Sequence, residues 1–405
     1  MASCVYLTRN GLLEPLGKSQ VFAYLRGLSD DYTITLITYE KPEDWVDSTR
    51  VEHARVVCER HGIRWLPQRF CAKPRVIAPA LSMIRMVWLL WREVGAGNAD
   101  LIHARSYVPA AVALLVRRLT GVPFIFDMRA LWPEELITAG RLRRQSLLHR
   151  AIVAVERACL DRASAVVSLT HAAVDHLKLE YPEELRGQQI VVIPTCADLE
   201  RFNSSLKRMS GPTLHGCIGT VLSGWFRIDW LAAWLSTIAV RDPDALFEIV
   251  TQDDAERVRE VLDPMNKLDK RLSIGPRPAE DMPLVVRGHD LSVMFYAGGQ
   301  ISEIGRSPTR MAEVLGCGLP VVANEGVGDV AKIVRKYNVG VIVEGGSTDN
   351  MAKAFDALQT LMQDPDLPNR CRTAAENEFS LETGTAAYRD IYSSVLKSKD
   401  TSCVA

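Results

Sequence analysis

The sequence is short of several features that mark whole classes of protein. None of its nine cysteines forms a CxxC pair; Cys4, Cys58, Cys71, Cys159, Cys196, Cys217, Cys317, Cys371 and Cys403 are scattered, most of them in apolar runs. That pattern fits reduced, buried thiols in a cytosolic protein. The histidines show no metal-ligand spacing, so no metal is expected. A formal net charge of −1 excludes a globally basic nucleic-acid binder. The N-terminus shows no basic segment followed by an apolar one, so no signal peptide is expected. The most apolar stretch, residues 76–91, is interrupted by Arg85 and is too short to span a bilayer. A cytoplasmic protein is the expectation.

What is present is a globular composition, 47% hydrophobic and 24% charged, over a length that suits two domains of ordinary size. The charge is uneven. Residues 51–150 carry 16 Lys and Arg against 7 Asp and Glu, an excess of +9 that leaves the rest of the chain near −10. A basic region in an otherwise acidic chain suggests an anionic partner on that side, unless its charges are paired in space.

Short apolar runs alternate with helical patterns throughout. Strands are expected at residues 2–7, 33–39, 101–103, 123–127, 163–169 and 190–193, with a helix at 18–29. The pattern then restarts after a polar stretch at 206–213. Strands are expected at 216–220, 246–251, 272–274, 291–295, 320–323 and 339–343, with a helix at 228–239. Near-continuous apolar strands separated by helices indicate parallel sheets buried on both faces. The expectation is an α/β protein of two doubly wound Rossmann-like domains facing across a cleft, at 1–204 and 205–380. A C-terminal helix at 381–405 is a candidate to return to the first domain. Ligands of such sheets bind beyond the carboxyl ends of the strands.

The sharpest local signal is residues 307–320. Ser307 suits an N-cap and Pro308 the first helical position, and the helix runs to a glycine-rich turn at Gly316 and Gly318. Amides at such a helix start attract anions. Ser307, Thr309 and the Arg310 guanidinium add donors for a diphosphate, and Glu313, one turn in, is placed to hold a ribose diol. An ordinary capped helix with a surface Arg and Glu is the competing account.

In the first half, the loop from Asn10 to Lys18 carries Gly11 and Gly17, which allow close backbone approach. Asp127 and Arg129 follow an apolar strand, with Trp132 next in the same loop. Asp127 is a candidate to orient Arg129 or to act as an acceptor-side carboxylate. His103 ends the preceding strand and is an acceptor-side candidate. Arg277 lies between Pro276 and Pro278.

The run SPTRMAEVLGCGLPVVANEGVGDV resembles the nucleotide-sugar-binding helix of family 4 retaining glycosyltransferases, which have the GT-B fold. NGLLEPLGKSQVFAYLRGLS, DLIHARSYVPA, FDMRALWPEE and VIPTCADLERF resemble further segments of the same family, in family order over nearly the whole chain. The resemblance implies transfer of a sugar from a nucleotide-sugar donor to a glycan or lipid-linked glycan acceptor, with retention and without a metal or other cofactor. It implies donor contacts from Gly17, Arg227, Arg277, Ser307, Pro308, Thr309 and Glu313. Arg129, Asp127 and Arg310 are implied on the catalytic side, and His103, Asn10 and Trp132 near the acceptor. Glu313 matches the second Glu of the family's Glu–seven residues–Glu motif; the first falls at Gly305, so this chain lacks it, and Glu303 is the candidate substitute. The loop after the first strand of the second domain holds one basic residue, Arg227, where many members have an Arg and a Lys.

Other readings stay open. A sugar-nucleotide epimerase uses the same fold, and a non-catalytic binding subunit suits the missing Glu and basic clamp. Gly11-LLEPL-Gly17-Lys18-Ser19 has one residue too many between its glycines for a P-loop. Asp242-Pro-Asp244 and Asp364-Pro-Asp366 are read as turns. Residues 76–91, with Arg141, Arg143, Arg144 and Arg150, make an anionic membrane surface a candidate partner and a peripheral position on the inner face of the membrane the accompanying expectation. A buried helix beside a solvated one is the alternative.

Overall fold

The computed structural model describes residues 1–70, 77–204 and 211–402, without the side chains of 77–80 and 399–402. The expected strands form, each shifted by a residue or two. The first unit holds β1 (Ser3–Thr8), β2 (Thr33–Glu40), β3 (Arg64–Arg69), β4 (Leu101–Arg105), β5 (Phe124–Asp127), β6 (Ala165–Ser168) and β7 (Ile190–Val192). All pair parallel, in the order β3-β2-β1-β4-β5-β6-β7. The second unit holds β8 (Leu214–Ile218), β9 (Leu246–Val250), β10 (Leu272–Gly275), β11 (Leu291–Met294), β12 (Val321–Asn324) and β13 (Gly340–Val343). These are also parallel, in the order β10-β9-β8-β11-β12-β13.

The order reverses direction at β1/β4 and again at β8/β11. Each reversal opens a crevice beyond the carboxyl ends of the strands, because successive loops there diverge to opposite faces. β3 was not expected, for a physical reason. It is an edge strand, RWLPQR, in which only Trp65 and Gln68, on opposite faces, are buried, so no apolar run or alternation marks it. Pro67 is tolerated because an edge strand lacks a partner on one side.

The first unit comprises Met1–Ile193 and Leu381–Ala405, the second Pro194–Ser380. The division therefore lies ahead of the expected boundary at 204/205, because Ala197, Leu199 and Phe202 pack into the core of the second sheet around Met311, Val314 and Leu315. The polar stretch at 206–213 lies mostly outside the described residues. The C-terminal helix Leu381–Ser402 belongs to the first unit, where it packs on the helix Ala23–Leu28 and on β4.

The expected helix at 18–29 is three pieces: a turn Pro15–Gly17, a π-helical turn Lys18–Phe22 and the α-helix Ala23–Leu28. The loop leading into them is anchored by a buried carboxylate. Glu40, at the end of β2 and with no exposed surface, accepts the Leu12 amide at 2.7 Å and the Leu13 amide at 3.1 Å. It also accepts the Thr38 hydroxyl, which in turn takes the Trp65 indole N–H at 2.8 Å. A Cβ on Gly11 would lie 2.4 Å from Glu40 Oε2, and one on Gly17 would lie 2.0 Å from the Gly11 carbonyl. The two glycines therefore serve the packing of this loop on itself. Its two central amides are already taken by a carboxylate, so they offer nothing to a phosphate.

Both Asp-Pro-Asp segments are turns: Asp242 caps the Asp244 amide and Asp364 the Asp366 amide. Every described cysteine is buried and unbridged; Cys71 and Cys403 lie outside the described residues. Among the described residues, no helix is long and apolar enough to cross a membrane.

Replacing Glu40 by Gln turns one acceptor of two facing amides into a donor. The expected cost is about 1–3 kcal/mol, seen as a lower thermal midpoint, with faster hydrogen exchange at Leu12 and Leu13. Unchanged exchange at those amides would refute the anchoring role.

Candidate functional site

The carboxyl edge of the first sheet carries a buried ionic cluster. Asp127 ends β5 with no exposed surface. One of its oxygens faces His103 Nε2 at 3.3 Å, Arg105 Nη1 at 3.5 Å and the Tyr388 hydroxyl at 3.1 Å. The other faces Arg129 Nη1 at 3.8 Å. The far nitrogen of His103 meets the Tyr392 hydroxyl at 2.8 Å. Tyr388 and Tyr392, one turn apart on the C-terminal helix, thus close the cluster from the side, stacked against Tyr24, Tyr32 and His103.

The charges do not balance locally. Arg105 and Arg129 face one carboxylate, and Nη1 of each is buried without a hydrogen-bond partner. Burial alone would raise the Asp127 pKa, but Arg129, the His103 hydrogen bond and Arg105 outweigh it and bring it down to about 2. Burial holds His103 below its ordinary value, against the pull of Asp127, so its ring is neutral at pH 7. A carboxylate this acidic is a poor proton acceptor near neutrality. Asp127 therefore positions its two arginines rather than serving as a base. His103, 1% exposed and bonded at both nitrogens, does not reach an acceptor.

Backbone strain gathers at the same edge. Ser106, directly after β4, has φ 76°, and Arg129, two residues after β5, has φ 61°. Both are left-handed, a conformation that costs a side chain of the order of 1 kcal/mol or more. The Ser106 amide donates to the Asp127 carbonyl at 2.7 Å, tying the first strained position to the strand end two residues before the second. Strain held in place by a hydrogen bond and a buried ion cluster is the pattern of a functional loop. Trp132, half-buried, opens the helix Trp132–Thr138 with its ring 5.5 Å from Tyr107. Asn10 stands exposed after β1, its amide donating to the Thr8 hydroxyl at 3.1 Å. The structure thus groups Asp127, Arg129 and His103 in one cluster, and leaves Gly17 buried in its own loop.

In the second unit, the helix of the sharpest sequence signal runs Thr309–Gly316. Pro308 takes the cap position, one residue later than expected for the helix start, and no side chain caps the helix. Ser307 is not the cap, because Thr195 claims it. The Thr195 amide donates to the Ser307 hydroxyl at 3.2 Å, and the Thr195 hydroxyl donates to the Ser307 carbonyl at 2.6 Å. The Met311 amide turns back to the Pro308 carbonyl at 3.1 Å, and with no side-chain cap the Thr309 and Arg310 amides ahead of it are the kind of donors that attract anions. Arg310 Nη1 donates to Glu313 Oε2 on the same helix face. Burial pushes the Glu313 carboxyl above the usual carboxylate range, opposed by Arg310 and Arg201. Glu313 is 7% exposed, whereas the Arg310 side chain keeps 36% of its surface.

The remaining expected contacts are committed elsewhere. Arg227 pairs with Asp229 at 2.7 and 2.9 Å and lies 4.8 Å over the Trp230 ring. Arg277, exposed, pairs with Glu248, which also meets His289 at 3.0 Å. Glu303, the candidate substitute for the missing motif residue, has no exposed surface and is held by Arg306 at 2.7 Å. The amides after β8 are occupied as well, since Asp253 accepts from Val221 at 2.7 Å and Leu222 at 3.0 Å.

Sequence reasoning missed Arg105, Tyr388 and Tyr392 in the first unit. An Arg closing an apolar strand and two Tyr one turn apart were the available signals. In the second unit it missed Trp225, Tyr296 and Asn324. The Asn324 side chain clamps both the amide and the carbonyl of Tyr296, at 2.8 and 2.9 Å. Trp225 stacks under the Arg306 guanidinium at 4.7 Å.

Two doubly wound domains in series, each with a built crevice at its strand reversal, define the GT-B architecture. Comparison with known proteins agrees in family. The model of the glycosyl transferase 4-like domain matches residues 20–196, and that of glycosyl transferases group 1 matches residues 213–361. The chain belongs to this family of glycosyltransferases, whose activity is sugar transfer. It is 26% identical to a 2-deoxystreptamine N-acetyl-D-glucosaminyltransferase of Streptomyces fradiae, over 78% of this chain and 73% of that protein. Among solved structures it resembles the sucrose-phosphate synthase of Thermosynechococcus elongatus, with a TM-score of 0.71 at 14% identity, covering 98% of this chain and 100% of that one. It also resembles HepE of Anabaena in complex with UDP and glucose, with a TM-score of 0.66 at 16% identity, covering 97% and 100%. At these identities the structures speak for the fold.

Replacing Asp127 by Asn leaves two buried guanidinium groups without a counter-charge, an expected loss of about 3–5 kcal/mol. Because the folded pKa lies below the unfolded one, the contribution of Asp127 is fully present above about pH 4 and fades as pH falls toward 2. Acid unfolding of the wild type through that window should flatten in the Asn variant. An identical acid limb in both proteins would count against the cluster.

Proposed function

We propose that the protein is a retaining, metal-independent glycosyltransferase. It takes a sugar from a nucleotide-sugar donor held by the second domain and passes it to a glycan or lipid-linked glycan acceptor, in polysaccharide or glycoconjugate synthesis in the cytoplasm. The observation that carries the donor assignment is the uncapped start of Thr309–Gly316, with Arg310 and Glu313 on one face of its first turns. Free amides and a guanidinium suit a diphosphate, and a carboxylate one turn further in suits a ribose diol. The resemblance to HepE, a protein solved with UDP and glucose, supports the same reading.

On this reading the leaving diphosphate draws the proton of the incoming hydroxyl on the face it departs from. The chain then needs cations and amides near the phosphates rather than a second carboxylate. Arg310 supplies the cation in the second domain. Arg129, held by Asp127 and by its own strained backbone, is the cation offered by the first domain.

Calorimetry against a panel of nucleoside diphosphates should find one that binds in the micromolar range. Glu313→Ala should weaken it at least about tenfold, the scale of a lost buried charge-assisted pair. Transfer should survive EDTA, and NMR of the product should show the donor's anomeric configuration. Binding without transfer to any acceptor would favour a non-catalytic subunit, and inversion or loss of activity with EDTA would overturn the mechanism.

A peripheral membrane position is part of the proposal. The helix Ile77–Gly95 buries Met86, Leu89 and Leu90, yet exposes Leu81, Ile84, Trp88 and Trp91 along the opposite stripe, at 59, 66, 52 and 53%. It packs on Tyr107–Thr120, which exposes Leu115 and Leu119, and that helix packs on Leu147–Arg162, which exposes Leu147 and Leu148. Arg85, Arg118 and Arg150 on these three helices are exposed, as are Arg141 and Arg143 ahead of the third. Exposed aromatic and aliphatic side chains with exposed arginines on the same elements suit an anionic bilayer surface. The protein should float with vesicles containing phosphatidylglycerol, and a Trp88→Ala, Trp91→Ala double variant should stay largely in the pellet fraction. Equal flotation of both would refute this surface.

A further inference from the structure

A cavity of about 410 Å³ lies within the first domain, between the loop that follows β1 and the helix Ser48–Arg60. That is within the ~300–1,000 Å³ range of small-molecule sites. Its apolar wall is made by Leu12, Leu13, Phe22, Ala54, Val57 and Cys58. Its rim carries Lys18, Arg50 and His53, and no carboxylate lines it. The nearby acids are committed. Glu40 is buried behind the Leu12 and Leu13 amides, Asp44 pairs with Arg50, and Glu14 pairs with Lys41. Arg50 is also anchored to the Leu13 carbonyl, at 3.0 Å, which fixes it at the rim. Lys18 has no carboxylate within ion-pair distance among the described residues.

The turn from Lys18 to Phe22 is π-helical, which brings Lys18 to the rim and Phe22 to the wall across one widened turn. Such a turn is rare and frequently accompanies a functional site. An apolar wall under a rim of Lys18, His53 and an Arg50 already partnered by Asp44 is complementary to one kind of molecule: an apolar chain that ends in an anion, with Lys18 the unpaired charge among the described residues of the rim.

We propose that this cavity binds an amphiphile consisting of an acyl or isoprenyl chain bearing a phosphate, with the first carbons of the chain against Leu12, Phe22 and Val57 and the phosphate at Lys18 and Arg50. Resting on the transferase reading, this makes the cavity the site that grips the lipid end of a lipid-linked acceptor. The binding itself stands independently of that reading. The cavity lies beside the carboxyl end of β1, the edge at which ligands of this fold gather.

The test is calorimetric titration of the full chain with octyl phosphate below its micelle concentration, with inorganic phosphate and octyl glucoside as controls. Saturable one-site binding of octyl phosphate is expected, and inorganic phosphate should bind far more weakly. Val57→Trp fills the cavity and should weaken octyl phosphate about tenfold or more. Lys18→Ala, at an exposed position that does not threaten folding, should weaken octyl phosphate about fivefold and leave octyl glucoside unchanged. Binding that is the same in both variants, equal binding of inorganic phosphate, or no saturable binding would each overturn the proposal. Nucleotide binding measured on the same samples separates the two readings. Its loss with octyl phosphate binding intact would sink the transferase and spare the cavity, and the reverse would do the opposite.

Discussion

A carboxylate with no exposed surface organises the carboxyl edge of the first sheet. Asp127 is surrounded by two arginines, a neutral histidine and a tyrosine hydroxyl, contributed by β4, by the loop after β5 and by the C-terminal helix. A buried charge is tolerable only if its partners stay in place, since each loses several kcal/mol of stabilisation on separation from the other. The cluster therefore ties three distant parts of the chain to one point. It also explains how Arg129 holds a left-handed backbone that its side chain would otherwise avoid.

The same device recurs with different chemistry. Glu40 holds the amides of the loop after β1, and Asp253 holds those of the loop after β8. In both places a carboxylate occupies backbone donors that a glycine-bearing loop might otherwise be thought to reserve for phosphate. The helix start at Thr309 is the contrasting case, for Ser307 is drawn away by Thr195 and no side chain caps the amides of Thr309 and Arg310. Where amides are capped internally the loop is rigid; where they are uncapped, a site is available for an anion. That difference, more than the presence of glycine, marks where a diphosphate suits this molecule.

Strand positions were legible because strands buried on both faces read as continuous apolar runs, as in Thr33–Glu40 and Val321–Asn324. The edge strand Arg64–Arg69 was not, since a polar, proline-bearing segment gains its strand character only from β2 beside it. The residues of the site were partly legible. Asp127, Arg129, Arg310 and Glu313 stand next to strong element boundaries. Their roles were harder to read: Asp127 was open to two, and only its burial and its low pKa select the positioning one. Arg227 and Arg277 carried the right residue types, but their partners Asp229 and Glu248 were not part of any motif, and Gly17 shared a motif with Gly11 without the spacing showing that the two pack on each other.

The sequence by itself determined the two-domain α/β architecture, the strand order's raw material and the family, because hydrophobic periodicity and short motifs are local properties of the chain. Tertiary structure alone decided which charges are neutralised and which remain free. Tyr388 and Tyr392 reach His103 and Asp127 across more than half the chain, and Thr195 takes Ser307 from its cap. Ion pairing, burial and the competition for a single amide depend on distance in space, and no spacing along the chain encodes that distance.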